Sequence, residues 1–116
     1  MCSFDIDGPD CSVNEDVFAV CKAFAEADKV AGYACIAPAL AAKVYGDGVL
    51  LTIGDDQATA QGIEAMGACH KNCEVVDIII DEQRKIITTP AYMLAETMSQ
   101  TNAGLHKMVQ AVLAMC

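Results

Sequence analysis

At 116 residues the chain is long enough for one domain, residues 1–116, with a modest core. Its net charge of −9 would repel nucleic acid and anionic lipid, so neither is expected as a partner. Apolar residues make up 54% of it, yet no charge-free apolar run approaches the roughly 18 residues needed to span a bilayer.

Residues 1–11 carry Gly8, Pro9 and three aspartates and read as loop. Ser12-Val13-Asn14-Glu15 has the pattern of a capping box. It predicts a helix to about Asp28, with Val17, Val20, Cys21, Phe24 and Ala25 at core spacing. A strand is expected over 30–35, followed at Pro38 by a short helix ending near Tyr45-Gly46. Gly46-Asp47-Gly48 turns into a second strand, Val49 to Ile53. Asp55 or Asp56 caps a helix over about 57–66 that stops at Gly67.

The period then becomes strand-like. Cys69 to Val75 and Val76 to Asp81 read as strand with a break between them. Asp81-Glu82-Gln83-Arg84 is a polar turn, Lys85 to Thr88 the returning arm of a hairpin, and Pro90 closes it. A last helix is expected from Met93 to Met115, with Leu94, Met98, Leu105, Met108, Val109, Val112 and Leu113 on one side. Gly104 is its weak point. Alternating strands and helices imply an α/β fold with a parallel sheet between helix layers, plus one hairpin. Two clearly buried parallel strands cannot cover the apolar faces of four helices, so the sheet is expected to be incomplete.

The densest chemical signal is Gly32-Tyr33-Ala34-Cys35-Ile36-Ala37-Pro38. An apolar, β-prone run meets a cysteine and passes straight into a helix, which places Cys35 at a strand-to-helix turn near unpaired helix N–H groups. Such groups favour thiolate, and the arrangement is that of a nucleophile elbow. Tyr33 is large where an elbow prefers a small residue, whereas Ala37 is suitably small. The plainer reading is a small core cysteine, since free cysteine is among the most buried residue types.

The other candidates are weaker on local grounds. His70 lies near the core pattern; His106 is expected to be exposed on the last helix. In Cys69-His70-Lys71-Asn72-Cys73 an extended strand would put the two sulfurs about 13 Å apart, at about 3.3 Å per residue. Zinc needs each sulfur at about 2.3 Å, so no metal site is expected. Thr88-Thr89-Pro90-Ala91-Tyr92 ends a strand and opens the last helix, and ligands bind beyond the carboxyl ends of such strands. Thr89, Pro90 and Tyr92 are therefore candidate substrate-binding residues, with Ile36 beside the cysteine. The alternative is that threonine-proline merely punctuates strand and helix. Asp55-Asp56 and Asp81-Glu82 read as a cap and a solvated turn. Seven cysteines, an odd number, predict reduced thiols in a cytosol-like compartment, and the acidic start lacks the marks of a secretory signal. A cytoplasmic location is expected.

The strings YACIAPAL, LLTIGDD, EAMGACH and VVDIIIDEQRKIITTPAYMLAET make the chain similar to the ElbB-like proteins (enhancing lycopene biosynthesis, glyoxalase-like), within the PfpI branch of the class I glutamine-amidotransferase-like superfamily. The resemblance runs from about Cys11 to Leu113 and corresponds to the C-terminal half of a flavodoxin-like three-layer sandwich of roughly twice this length. It implies Cys35 as catalytic nucleophile on a small carbonyl compound such as methylglyoxal, with His70 as its possible partner and no cofactor. It also implies a link to isoprenoid biosynthesis, and a homodimer or a complementing N-terminal half as macromolecular partner. The superfamily's helping glutamate and glycine-rich oxyanion loop belong to that first half. Two readings therefore stand together: a thiol-dependent glyoxalase- or hydrolase-like enzyme, and a non-catalytic redox-sensing or interaction protein. Glutaminase chemistry is disfavoured, because Gly54-Asp55 occupies the place where its histidine is expected.

Overall fold

The computed structural model describes residues 3–94 and 96–116, and within them the side chains of all but Asp5, Pro9 and Tyr92. Helices α1 (Phe4–Asp7), α2 (Glu15–Glu26), α3 (Pro38–Tyr45), α4 (Gln57–Ala65) and α5 (Met98–Met115) alternate with strands. The strands are β1 (Ala31–Ala34), β2 (Leu50–Leu51), β3 (Cys69–His70), β4 (Ile79–Asp81) and β5 (Ile86–Thr89). β1 pairs parallel with β5, Ala31 opposite Ile86 and Ala34 opposite Thr89, and β4 returns antiparallel on the other side of β5. β2 and β3 form a second parallel pair.

Side chains join the two sheets. The N–H groups of Leu50 and Thr52 donate to Asp81 Oδ2 at 2.9 Å and Thr88 Oγ1 at 3.0 Å, so β2 runs alongside β5 in the same direction. Asp81 also accepts from the Arg84 backbone and guanidinium, which closes the hairpin turn around it. Neighbouring residues of β1 face opposite helix layers, because side chains alternate across a strand. Tyr33 meets Tyr45 of α3 edge to face with ring centres 6.3 Å apart. A Cβ at Gly32 would lie 3.2 Å from Met108 Sδ of α5. Helices thus cover both faces, giving the expected three-layer α/β architecture. Val49, Leu51, Ile53, Ile63, Ile86 and Ile87 are fully buried at its centre. Alanines 39, 41 and 42 let α3 lie deep against the core.

Four expectations need correction. Residues 1–11 are not plain loop: α1 and a 3-10 turn over Gly8–Asp10 form there, because Phe4 and Cys11 are both drawn into the core. The cap of α2 is Asn14, whose Oδ1 accepts from the N–H groups of Asp16 and Val17. Ser12 is taken up elsewhere, tied to Ser3 through two hydrogen bonds of 3.0 Å; asparagine and serine cap equally well, so that tie decides.

The two strands expected over Cys69 to Val75 and Val76 to Asp81 shrink to their outer ends, and the break expected between them is a turn at Val75-Val76. There α5 presses against the loop: a Cβ on Gly104 would collide with the Val75 carbonyl oxygen. Packing overrides the β preference of two valines. The last helix starts at Met98 and not Met93, after a 3-10 turn over Ala91–Met93. Thr97 Oγ1 accepts from the Gln100 N–H while Gln100 Oε1 accepts from the Glu96 N–H, a reciprocal cap written in the sequence as Thr-x-x-Gln.

Candidate active site

β1 and β5 point their carboxyl ends the same way, as do β2 and β3, and the Cys35 turn lies at the carboxyl end of β1. Cys35 follows the last residue of β1 with φ +62°, in the left-handed region that non-glycine residues enter at a cost. Its N–H donates to the Thr89 carbonyl at 3.0 Å, anchoring it to the end of β5. A turn through Ile36 and Ala37 leads directly into α3, with Pro38 in the first helical turn and no side-chain cap on the helix start. The start of the helix is closed by its own backbone: the N–H groups of Ala37, Ala39 and Leu40 donate to the carbonyls of Ala34, Ile36 and Ala37. Cys35 is half-buried. β1 thus passes into α3 through a three-residue turn over Cys35, Ile36 and Ala37.

Of the remaining candidates, Thr89 and Pro90 are next to Cys35 across the β1–β5 pair and fully buried. The Thr89 hydroxyl donates to the Asp77 carbonyl at 2.8 Å. Ile36 is half-buried and packs on the core cluster. The side chain of Tyr92 lies outside the described residues. His70 sits elsewhere: its Nε2 accepts the Ile53 N–H at 3.2 Å, and no hydrogen bond joins it to Cys35 among the described residues. β1 belongs to the sheet β1-β5-β4, whereas β3 pairs with β2 in the other sheet. Burial pushes the His70 imidazole below its ordinary pKa, against a smaller opposing effect of Glu64, which fits a neutral ring acting as acceptor.

Two open clefts flank this second sheet. One of about 620 Å³ is lined by Asp55, Asn72, Cys73, Glu74, Leu94, Glu96 and Gln100, together with Val75 and Val76. Another of about 540 Å³ is lined by Gln57, Gln61, Glu64, His70, Lys71 and Asn72, with Ala60. Cys35 lines neither. Burial, aided by the charges of Asp77 and Glu74, pushes the Cys73 thiol up to about 11, and it donates to the Glu74 carbonyl. Cys73 therefore stays protonated and is a poor nucleophile near neutrality. Among the described residues no group of three or more His, Cys, Asp or Glu side chains converges as metal ligands.

No protein-family model matches the chain. It is 41% identical, over 97% of its own length, to the human protein glutamine amidotransferase-like class 1 domain-containing protein 3, mitochondrial. It is 38% identical over the same share to the rat ES1 protein homolog, mitochondrial, and 33% identical over 80% to the zebrafish ES1 protein, mitochondrial. The chain spans 45%, 46% and 38% of those relatives. Its backbone superposes with a TM-score of 0.82 on a crystal structure from Ehrlichia chaffeensis described as an isoprenoid biosynthesis protein with amidotransferase-like domain. That match has 23% identity and covers 90% of this chain and 49% of the other, which establishes an amidotransferase-like, flavodoxin-like fold in partial form. The mitochondrial relatives overturn the expected cytoplasmic location. An odd cysteine count reports a reducing milieu and does not say which reducing compartment supplies it.

Proposed function

Because this chain belongs to the family of the glutamine amidotransferase-like class 1 domain-containing and ES1 proteins, of whose length it spans about half, we propose that it carries the nucleophile of a mitochondrial cysteine-dependent carbonyl-processing site. The observation that carries this reading is Cys35 itself: a non-glycine residue held at φ +62° between the end of β1 and the uncapped start of α3. Strain of this kind, about 1–3 kcal/mol, persists only where the surroundings impose it, and it concentrates at reactive turns.

The chemistry follows from the residue type. A thiolate is strongly nucleophilic near neutral pH and adds to the aldehyde carbon of a 1,2-dicarbonyl such as methylglyoxal. The new C–S bond pushes the carbonyl pair onto oxygen, and protonation gives a hemithioacetal. In an elbow the amide after the nucleophile, here Ile36, is the natural oxyanion donor. Removal of the proton on that carbon and its delivery to the adjacent carbonyl carbon convert the adduct to a thioester. Water then releases a 2-hydroxy acid and returns the thiol, so the substrate's aldehyde is oxidised and its ketone reduced without an external oxidant. The link to isoprenoid biosynthesis is carried over from the resemblance and from the description of the Ehrlichia protein.

His70 is engaged by Ile53, so we assign the proton-transferring base to the complementary half of the domain. For the chain alone the same observation favours the second reading, a thiol that oxidises without turnover. Conversion of methylglyoxal to lactate by the chain joined with its complementary half, and its loss in Cys35→Ala, is the expected result. Activity that survives Cys35→Ala overturns the proposal. So does iodoacetamide labelling of Cys35 no faster than that of the exposed Cys69 and Cys116.

A further inference from the structure

The Cys35 turn is tied to the last residue of β5, where the Cys35 N–H donates to the Thr89 carbonyl at 3.0 Å. Beyond Thr89 the chain leaves the sheet: Pro90 brings no N–H, and Ala91 enters left-handed backbone at φ +46°. Side chains alternate across β5, so Thr88 and Thr89 face opposite layers. Thr88 Oγ1 accepts the Thr52 N–H, whereas Thr89 Oγ1 lies under α5, 3.0 Å from where a Cβ on Gly104 would sit. The Thr89 hydroxyl is fully buried and donates to the Asp77 carbonyl at 2.8 Å. Asp77 is itself held in place. Its N–H donates to the Glu74 carbonyl at 3.0 Å, and its Oδ1 accepts from the Ile78 N–H at 2.9 Å and from Lys107 Nζ at 3.1 Å. Lys107 lies one turn beyond Gly104, so α5 fixes the acceptor on which the hydroxyl rests. Thr89 thus touches the strained turn through its main chain and the rest of the fold through its side chain.

We propose that Thr89 is a positioning residue: its hydroxyl, anchored on the Asp77 carbonyl, holds the end of β5 so that Cys35 stays in left-handed backbone with its sulfur presented at the tip of the turn. The inference rests on the reading of Cys35 as nucleophile. Left-handed backbone at a non-glycine residue persists only where its surroundings over-determine it, and the end of β5 supplies that restraint. In a nucleophile elbow the sharp turn lifts the side chain clear of the sheet, so a turn that relaxes withdraws it. A displacement of about 1 Å costs about a hundredfold in rate. The role belongs to the hydroxyl and not to the shape of the side chain. Valine has the same outline and the same strand preference, but it leaves the Asp77 carbonyl without this donor. Serine keeps the donor.

The test compares Thr89→Val with Thr89→Ser in the 116-residue chain, reading iodoacetamide labelling of each cysteine by peptide mass alongside the urea midpoint. Thr89→Val is expected to slow Cys35 at least about tenfold relative to the exposed Cys69 and Cys116, and Thr89→Ser to restore it. Loss of fold alone moves labelling the other way, because an opened chain exposes the buried Cys11 and the half-buried Cys35 and speeds both. Cys35 labelling that is unchanged or faster in folded Thr89→Val overturns the proposal. Should Thr89→Val fail to fold, amide exchange in the unaltered chain decides. A Cys35 N–H as protected as that of the fully buried Ile87 is expected, and exchange as fast as in exposed loops overturns the proposal. In the chain joined with its complementary half, Thr89→Val should lower kcat for methylglyoxal at unchanged KM. A raised KM at unchanged kcat overturns the positioning role and makes Thr89 a substrate contact, as the sequence suggested. Conversion that survives Cys35→Ala, with the labelling pattern as expected, counts against the proposed chemistry and leaves the positioning of the Cys35 turn by Thr89 standing.

Discussion

At the amino end of the β1–β5 pair Asp28 and Lys85 both adopt left-handed backbone, φ +59° and +56°; at the carboxyl end Cys35 and Ala91 do the same, φ +62° and +46°. The first pair has an evident structural account. Aspartate tolerates this conformation, and the Lys85 ammonium bonds both the carbonyl and the carboxylate of Asp28, the latter at 2.8 Å. Cysteine and alanine have nothing in their side chains to offset the cost. The comparison teaches that equal backbone distortion has a structural origin at one end of a strand pair, while at the other its origin is to be sought in function.

The largest effect is expected from disturbing what holds the carboxyl end in place. Gly104→Ala would improve helix propensity by about 1 kcal/mol. However, its Cβ would collide with the Val75 carbonyl and meet the Thr89 hydroxyl at 3.0 Å. A net loss of about 2 kcal/mol is expected, read as a lower urea midpoint at unchanged slope. Next, Cys35→Gly should stabilise the fold by about 1 kcal/mol while abolishing reactivity, because glycine enters the left-handed region freely. Lys85→Gly should leave stability nearly unchanged, strain relief being offset by the lost ion pair. If both substitutions stabilised equally, the distinction between the two ends would fail.

A third prediction concerns pH. Folded His70 has a lowered pKa, so below about 6.5 the unfolded chain takes up its proton first. The stability of the neutral ring is therefore full above the unfolded value and falls as pH drops towards the folded one. The urea midpoint should decline between pH 7 and 5, and His70→Gln should flatten that decline. Asp56 and Asp77, both lowered from the carboxylate range, titrate below this window and do not confuse it. The smallest effect belongs to Asp28→Asn, which keeps the tolerance of left-handed backbone and removes only the charge: the pair with Lys85 is exposed, so the loss should stay below about 1 kcal/mol and vanish in high salt.

Much of this was legible from sequence because it is local. The Cys35 turn, the Pro38 start of α3, the Asp56 cap and the polar hairpin turn each rest on residues within a few positions of one another. What escaped rests on distant contacts. Val75 and Val76 read as strand until α5 arrives against them, and Gly104 read as a helix defect until its close approach to that loop is seen. His70 shows the same limit at the site: a histidine near a cysteine in one family pattern is bonded instead to Ile53, across a strand pair that no local period announces. The apolar stripes of α2 and α5 were visible, but whether a stripe is covered depends on what lies outside the chain.

The side-chain seam between the sheets has a bearing on how the chain reaches this arrangement. Each of two N–H groups of β2, Leu50 and Thr52, is addressed to one oxygen, Asp81 Oδ2 and Thr88 Oγ1. A backbone ladder could slip and re-form, whereas these addresses cannot be reassigned. A shift of one residue would turn the buried Leu51 and Ile53 off the core and leave the Asp81 carboxylate facing no donor from β2. Asp81 and Thr88 thus proofread the arrival of the second sheet, penalising each wrong register before the core closes.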